Sequence, residues 1–123
     1  RKKQIGKLYY NLLKNIKNIY IQKPKYLNFE NIYWVFGVVL NKKIDLSKLT
    51  LSLQKQGVQT RPFFYPMHKQ KILRKFINKN ERFVNSEYIS SKGFYLPSGL
   101  ALTDKDVRII CEIFKKSLDL LNK

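Results

Sequence analysis

Asn31-Ile-Tyr-Trp-Val-Phe-Gly-Val-Val-Leu40 is the run that decides the fold. After its first residue it is β-branched and aromatic, and apolar on both alternating faces. A strand with one wet face alternates apolar and polar side chains. This run does not, so it predicts a central strand covered on both sides. Asn41-Lys42-Lys43 ends it.

The neighbouring segments supply the cover. Upstream, Ile5, Leu8, Leu12, Ile16 and Ile19 recur at spacings of three and four, which predicts an amphipathic helix over 5–20. Gly6 weakens its first turn, and Lys23-Pro24-Lys25 breaks the pattern. Downstream, Asp45 is placed to cap a short helix with Leu46, Leu49 and Leu53 inward. Gly57 suits the left-handed position after such a helix. Val58–Phe64 reads as a second strand, held to an edge or an end because Pro62 has no amide to donate. Residues 69–78 and 81–92 predict two short helices, the second stopped by Gly93. Phe94-Tyr95-Leu96 is a third strand, closed by Pro97-Ser98-Gly99. Thr103 and Asp106 form the aspartate variant of a capping box. Val107, Ile110, Phe114, Leu118 and Leu121 then stripe a terminal helix. The order is that of a two-layer α/β (α+β) domain with a short, partly antiparallel sheet covered by helices. Tyr33 and Trp34 read as core strand residues, and Cys111 as a small buried hydrophobe.

A chain of 123 residues suits one domain with a real core. No apolar run approaches the ~20 residues that span a bilayer. One cysteine cannot close an internal disulfide, which points to a reducing, cytoplasmic setting. The start, Arg1-Lys2-Lys3-Gln4, carries neither a Met nor an apolar leader block, so a piece of a longer protein is expected. The net charge is +17. A nucleic-acid surface would cluster that charge. Here the groups at Arg1–Lys3, Lys42–Lys43, Lys69–Lys75 and Lys115–Lys116 are scattered, which reads as a solvated basic surface. The acidic balance can also lie on residues beyond these.

Self-contained active sites are missing from the sequence. There is no C-x-x-C and no second histidine for zinc. No phosphate loop is present, nor a nucleophile elbow, and the eight carboxylates form no acid/base pair. No catalytic residue and no metal ligand is assigned. What remains is Thr60-Arg-Pro-Phe-Phe-Tyr-Pro-Met-His68, too polar for ordinary core and too aromatic for an ordinary loop. Arg61 suits a carboxylate or phosphate, and Phe63, Phe64 and Tyr65 suit a base or sugar ring. His68 suits an anionic ligand, or is a satisfied structural histidine. At least one aromatic belongs to the core, since a strand sends alternate residues to opposite faces. Leu96-Pro97-Ser98-Gly99 is a turn, or a loop whose Ser98 faces a site.

Several of these stretches come in a familiar order: Ile32–Phe36, Val58–His68, Phe83–Tyr88, Gly93–Gly99 and Leu102-Thr103-x-x-Asp106-Val107. The order resembles the C-terminal domain of the DegT/StrS family of sugar aminotransferases over nearly the whole chain. The Thr60–His68 wording is most similar to the perosamine-synthase type. Val84 stands where family members often have proline. The resemblance implies residues 1–22 as a helix leading from a large domain, and 23–123 as the small aminotransferase domain. It implies pyridoxal phosphate (PLP) as cofactor, with its lysine and most of its phosphate cup on the large domain. It implies transfer of an amino group from glutamate to a 4-keto-6-deoxy nucleotide sugar, in a homodimer, for surface polysaccharide synthesis. Arg61, Phe63, Tyr65 and His68 match the segment facing the sugar-nucleotide pocket. Two other readings stand beside it: a stand-alone basic nucleic-acid-binding module, and a pseudoenzyme or regulator of the same family.

Overall fold

The structure, a computed structural model, describes residues 1–41, 43–78 and 80–121. Lys42, in the run expected to end the central strand, lies outside the described residues. Helix α1 (Lys2–Leu13) leads into strand β1 (Ile19–Ile21), a small hairpin of β2 (Lys25–Tyr26) and β3 (Phe29–Glu30), and strand β4 (Phe36–Leu40). Helix α2 (Leu46–Lys55) and strand β5 (Arg61–Pro62) follow. Two 3-10 stretches, Met67–Lys69 and Lys71–Phe76, precede helix α3 (Val84–Lys92), strand β6 (Gly93–Leu96) and helix α4 (Asp104–Leu121).

The main sheet has the order β1-β4-β6-β5, and its described pairings are all antiparallel rather than partly so. Phe36 lies opposite Leu96 and Val38 opposite Phe94. Cross-strand partners share a face, so these residues and Leu40 make one continuous apolar surface. Helices α1 and α4 seal it. Tyr9 stacks on Phe36 with centroids 4.7 Å apart, and Phe94 meets Phe114 at 6.1 Å. The stripe expected for α4 is the one buried, with Leu121 at its margin and Cys111 inside as a small hydrophobe. Burial pushes the Cys111 thiol up to about 12, which keeps it an inert thiol. Each fully buried large side chain contributes on the order of 1.5–3 kcal/mol.

The capping chemistry is as read. The Asp45 carboxylate accepts from the amides of Ser47 and Lys48 at 2.9 and 3.1 Å. Those bonds favour its charged form and hold its pKa below the usual value. Gly57 has φ +81°. The Thr103 hydroxyl accepts from the Asp106 amide at 3.1 Å, and the Thr103 amide donates to the Asp106 carboxylate at 2.8 Å.

Five expectations need correction. The first helix stops at Leu13, not near residue 20, and Ile19–Ile21 pair with Val38–Leu40 as an edge strand. Asn18, at φ +68°, makes the turn, and its carbonyl accepts from the Asn41 amide. The central strand covers Phe36–Leu40 only. The Asn31 side chain takes the Tyr33 amide at 2.8 Å and Tyr33 sits at φ +51°, so a local turn wins over strand pairing. Tyr33 is still buried, closing over Gly6 so tightly that no Cβ fits there. Trp34 is not core: it is 64% exposed. The strand expected over 58–64 shortens to Arg61–Pro62, at the sheet edge that Pro62 requires. Residues 69–78 form 3-10 turns rather than an α-helix.

Candidate functional site

The second face of the sheet carries Gly37, Gly93 and Tyr95. Gly37 lies opposite Tyr95, and Val39 opposite Gly93. Two strands that lack side chains at neighbouring points leave a flat socket. The Phe63 ring fills it, since a Cβ on either glycine would run into that ring. The Phe63 ring also meets Tyr95 edge-on at 4.6 Å, and its amide donates to the Gly93 carbonyl at 3.2 Å. Phe63 therefore pins β5 to β6.

That pin sets Arg61. Arg61 pairs with Tyr95 across the strands, so both side chains lie on this second face. Arg61 is exposed and has no carboxylate partner among the described residues. Desolvation raises the Tyr95 phenol above its ordinary value, and the nearby Phe64 backbone offsets only part of that rise. It stays a neutral phenol that can still donate. Arg61, Tyr95, Thr60, Ser98 and Val35 line an open cleft of about 390 Å³. A larger hollow of about 470 Å³ lies between α2 and the β5 edge, and no charged side chain lines it. The first cleft is the one chemically suited to an anionic, hydroxyl-rich ligand: a guanidinium, a phenol and two hydroxyls line it.

The four residues singled out in the sequence do not form one cluster. Arg61 and Phe63 sit together beside Tyr95. Tyr65 projects to solvent at 60% exposure. His68 lies apart, stacked on Phe83 at 4.4 Å and within 3.0 Å of the Glu87 carboxylate of α3. Lys69 reaches the other Glu87 oxygen at 2.9 Å. Lys69 first and His68 second hold the Glu87 carboxyl below its usual range. Sequence reading missed two participants. Tyr95 reads from the sequence only as a strand residue, because its place beside Arg61 appears only once β5 and β6 are paired. Trp34 was placed in the core, yet it stacks on Phe64 at 6.2 Å with rings 14° from parallel, and Phe64 leans on Tyr95 at 5.9 Å.

A family model described as the DegT/DnrJ/EryC1/StrS aminotransferase family matches residues 1–115. The chain belongs to that family. Among DegT/DnrJ/EryC1/StrS relatives, the GDP-perosamine synthase of Vibrio cholerae is 29% identical over 85 residues, which is 68% of this chain and 23% of that protein. The aminotransferase TlmJ of Streptoalloteichus hindustanus has the same fold, with a TM-score of 0.84 at 18% identity over 99% of this chain and 32% of that one. So does a putative sugar aminotransferase of Streptococcus pneumoniae solved in its PMP form, with a TM-score of 0.80 at 16% identity over 98% of this chain and 30% of that one. The chain thus spans less than a third of the length of the relatives it matches.

Proposed function

We propose that this chain is the small C-terminal domain of a pyridoxal-phosphate-dependent sugar aminotransferase. The complete enzyme moves an amino group from glutamate to a 4-keto-6-deoxy nucleotide sugar of the perosamine type, in the cytoplasm, for surface polysaccharide synthesis. Residues 1–22 lead in from the large domain and 23–123 form the small one. The observation that carries this reading is the family match across residues 1–115, which includes the whole Thr60–His68 segment. The similarity to a GDP-perosamine synthase supports the choice of sugar.

The described residues do not by themselves fit pyridoxal phosphate. The group needs a lysine beside a sheltered carboxylate that can face its ring nitrogen. Among the described residues every lysine and every carboxylate is at least partly exposed. This chain therefore supplies a wall of the site, and its large domain and homodimer partner supply the rest. In that wall Arg61 holds a phosphate or carboxylate of the substrate, Tyr95 donates to a sugar hydroxyl, and Phe63 fixes both through the sheet. Tyr65 and His68 contact substrate at the rim or a neighbouring subunit.

The test uses the polypeptide that includes the sequence upstream of Arg1. It should carry the visible absorbance of bound pyridoxal phosphate. Glutamate should bleach that absorbance, and a GDP-4-keto-6-deoxy sugar should restore it with formation of the amino sugar. A protein that binds the sugar nucleotide without amino transfer would be a regulator of the same family. A protein that takes up no pyridoxal phosphate overturns the reading.

A further inference from the structure

The β4–β6 ladder ends with Phe36 opposite Leu96. Continuing that register by two residues would set Trp34 opposite Ser98. Pro97 has no amide to donate there, and Tyr33, in left-handed backbone, turns the other limb away. The main-chain carbonyls of Trp34 and Ser98 are left at the open end. The Lys2 ammonium donates to both, at 2.9 and 2.6 Å. Two turns further along α1, the Tyr9 hydroxyl donates to the Pro97 carbonyl at 2.7 Å. The nearest lysines of α1 behave otherwise. Lys3 and Lys7 reach the Glu30 carboxylate, at 2.7 and 3.6 Å, and stay about half-exposed. Lys2 is half-buried and has no carboxylate partner among the described residues. A lysine ordinarily keeps its ammonium in water.

The bridged end of the ladder is also one end of the cleft that holds Arg61 and Tyr95. Val35, which follows Trp34, lines that cleft, as do Pro97 and Ser98. The Ser98 hydroxyl has no hydrogen-bond partner among the described residues, so the fold leaves it to a ligand. We propose that Lys2, which does not itself line the cleft, is a positioning residue: by bridging the Trp34 and Ser98 carbonyls it sets the cleft's width at that end and presents the Ser98 hydroxyl to the sugar nucleotide, a role that rests on the function given above for the identity of the ligand. An ammonium suits the task because its three N–H groups point in separate directions, so one atom serves carbonyls from two segments. Without it no donor stands between the two carbonyls, and they must turn to water. Ser98 then swings with its own carbonyl. Gly99 and Leu100 beyond it are exposed and offer little resistance.

The test uses the complete polypeptide, with the sequence upstream of Arg1, in buffer containing pyridoxal phosphate and no glutamate. Binding of a GDP-4-keto-6-deoxy sugar is measured by calorimetry, and amide hydrogen exchange by mass spectrometry. In Lys2→Met the Kd should rise about three- to tenfold, the loss of one neutral hydrogen bond. Exchange should quicken over residues 33–36 and 97–102 but not in α2. Lys2→Arg, which keeps the charge and several donors, should recover most of the affinity. Ser98→Ala should weaken binding by a similar factor, and adding it to Lys2→Met should cost nothing further, since both remove the same contact. Additive losses overturn the proposal. So does weaker binding with unchanged exchange, which would make Lys2 only an attractor of anions. Faster exchange with an unchanged Kd would make it scaffold alone and overturns the proposal too. Binding that depends on Lys2 in a protein that transfers no amino group would sink the enzymatic reading and leave the positioning role intact. Amino transfer with a Kd indifferent to Lys2 would do the reverse, and a complete protein that binds no sugar nucleotide overturns both.

Discussion

The face of the sheet that carries Phe36, Val38, Leu40, Phe94 and Leu96 is sealed under two long helices, and every one of those side chains is buried. The face that carries Gly37, Gly93 and Tyr95 is covered by the single Phe63 ring and the short helix α3. Only the second face leaves aromatic and cationic side chains open to a ligand. The first supplies stability through apolar burial. The second sacrifices side-chain volume at two glycines so that β5 can be held flat and Arg61 presented. Stability and recognition are thus separated by one pleated layer.

Substitutions on the two faces should therefore fail in different ways. The largest effect belongs to the sealed face. Phe36→Ala removes a ring stacked between Tyr9 and Tyr33 and should cost about 3–5 kcal/mol in urea unfolding. A loss below ~1 kcal/mol would mean that this face is not the core. On the open face, Arg61→Ala in the complete enzyme should remove a charged hydrogen bond worth about 1.5–3 kcal/mol. KM for the sugar nucleotide should rise about ten- to a hundredfold, with the melting temperature unchanged. A stability loss without a KM change would place Arg61 in the scaffold instead.

The Phe63 pin lies between the two regimes. Gly37→Ala puts a Cβ 2.6 Å from the end of the Phe63 ring, an overpacking that should cost about 1–3 kcal/mol. In a Phe63→Ala background that cost should largely vanish. Gly93→Ala should not be rescued in this way, because its Cβ also meets the Ile89 carbonyl. A double-mutant cycle reads this coupling directly.

The smallest effect is electrostatic. The folded pKa of Glu87 is depressed by Lys69 and then His68. The stabilisation it gives is complete above the unfolded value, 4.5, and is lost as pH falls through the folded value. The melting temperature should therefore drop slightly more on acidification below pH 4.5 in the parent than in Glu87→Gln. Parallel curves would show that the His68–Glu87–Lys69 cluster contributes nothing to the fold.

These contrasts also explain what the sequence made legible. The sealed face was readable because its signals are periodic or capped: the α4 stripe, Asp45, Gly57 and Thr103–Asp106 all stand where their spacing put them. The misread places are those where a local turn competes with periodicity. Asn18 and Tyr33 take left-handed backbone, and each lies inside a run that apolar spacing alone would have kept regular. The open face was half readable. Arg61 and Phe63 stood out by composition. The glycines that receive Phe63 lie far apart in sequence, and their shared face appears only once β4 and β6 are paired. An isolated glycine inside each strand was the available signal of a close approach.

The position of Trp34 has an optical consequence. It is the one tryptophan of the chain, and it stands two-thirds in water against a single ring. Its fluorescence in the 123-residue chain should be that of a hydrated indole, and anything that covers the ring must shift the emission to shorter wavelength. The protein thus carries an unlabelled reporter beside Phe64 on an exposed apolar surface.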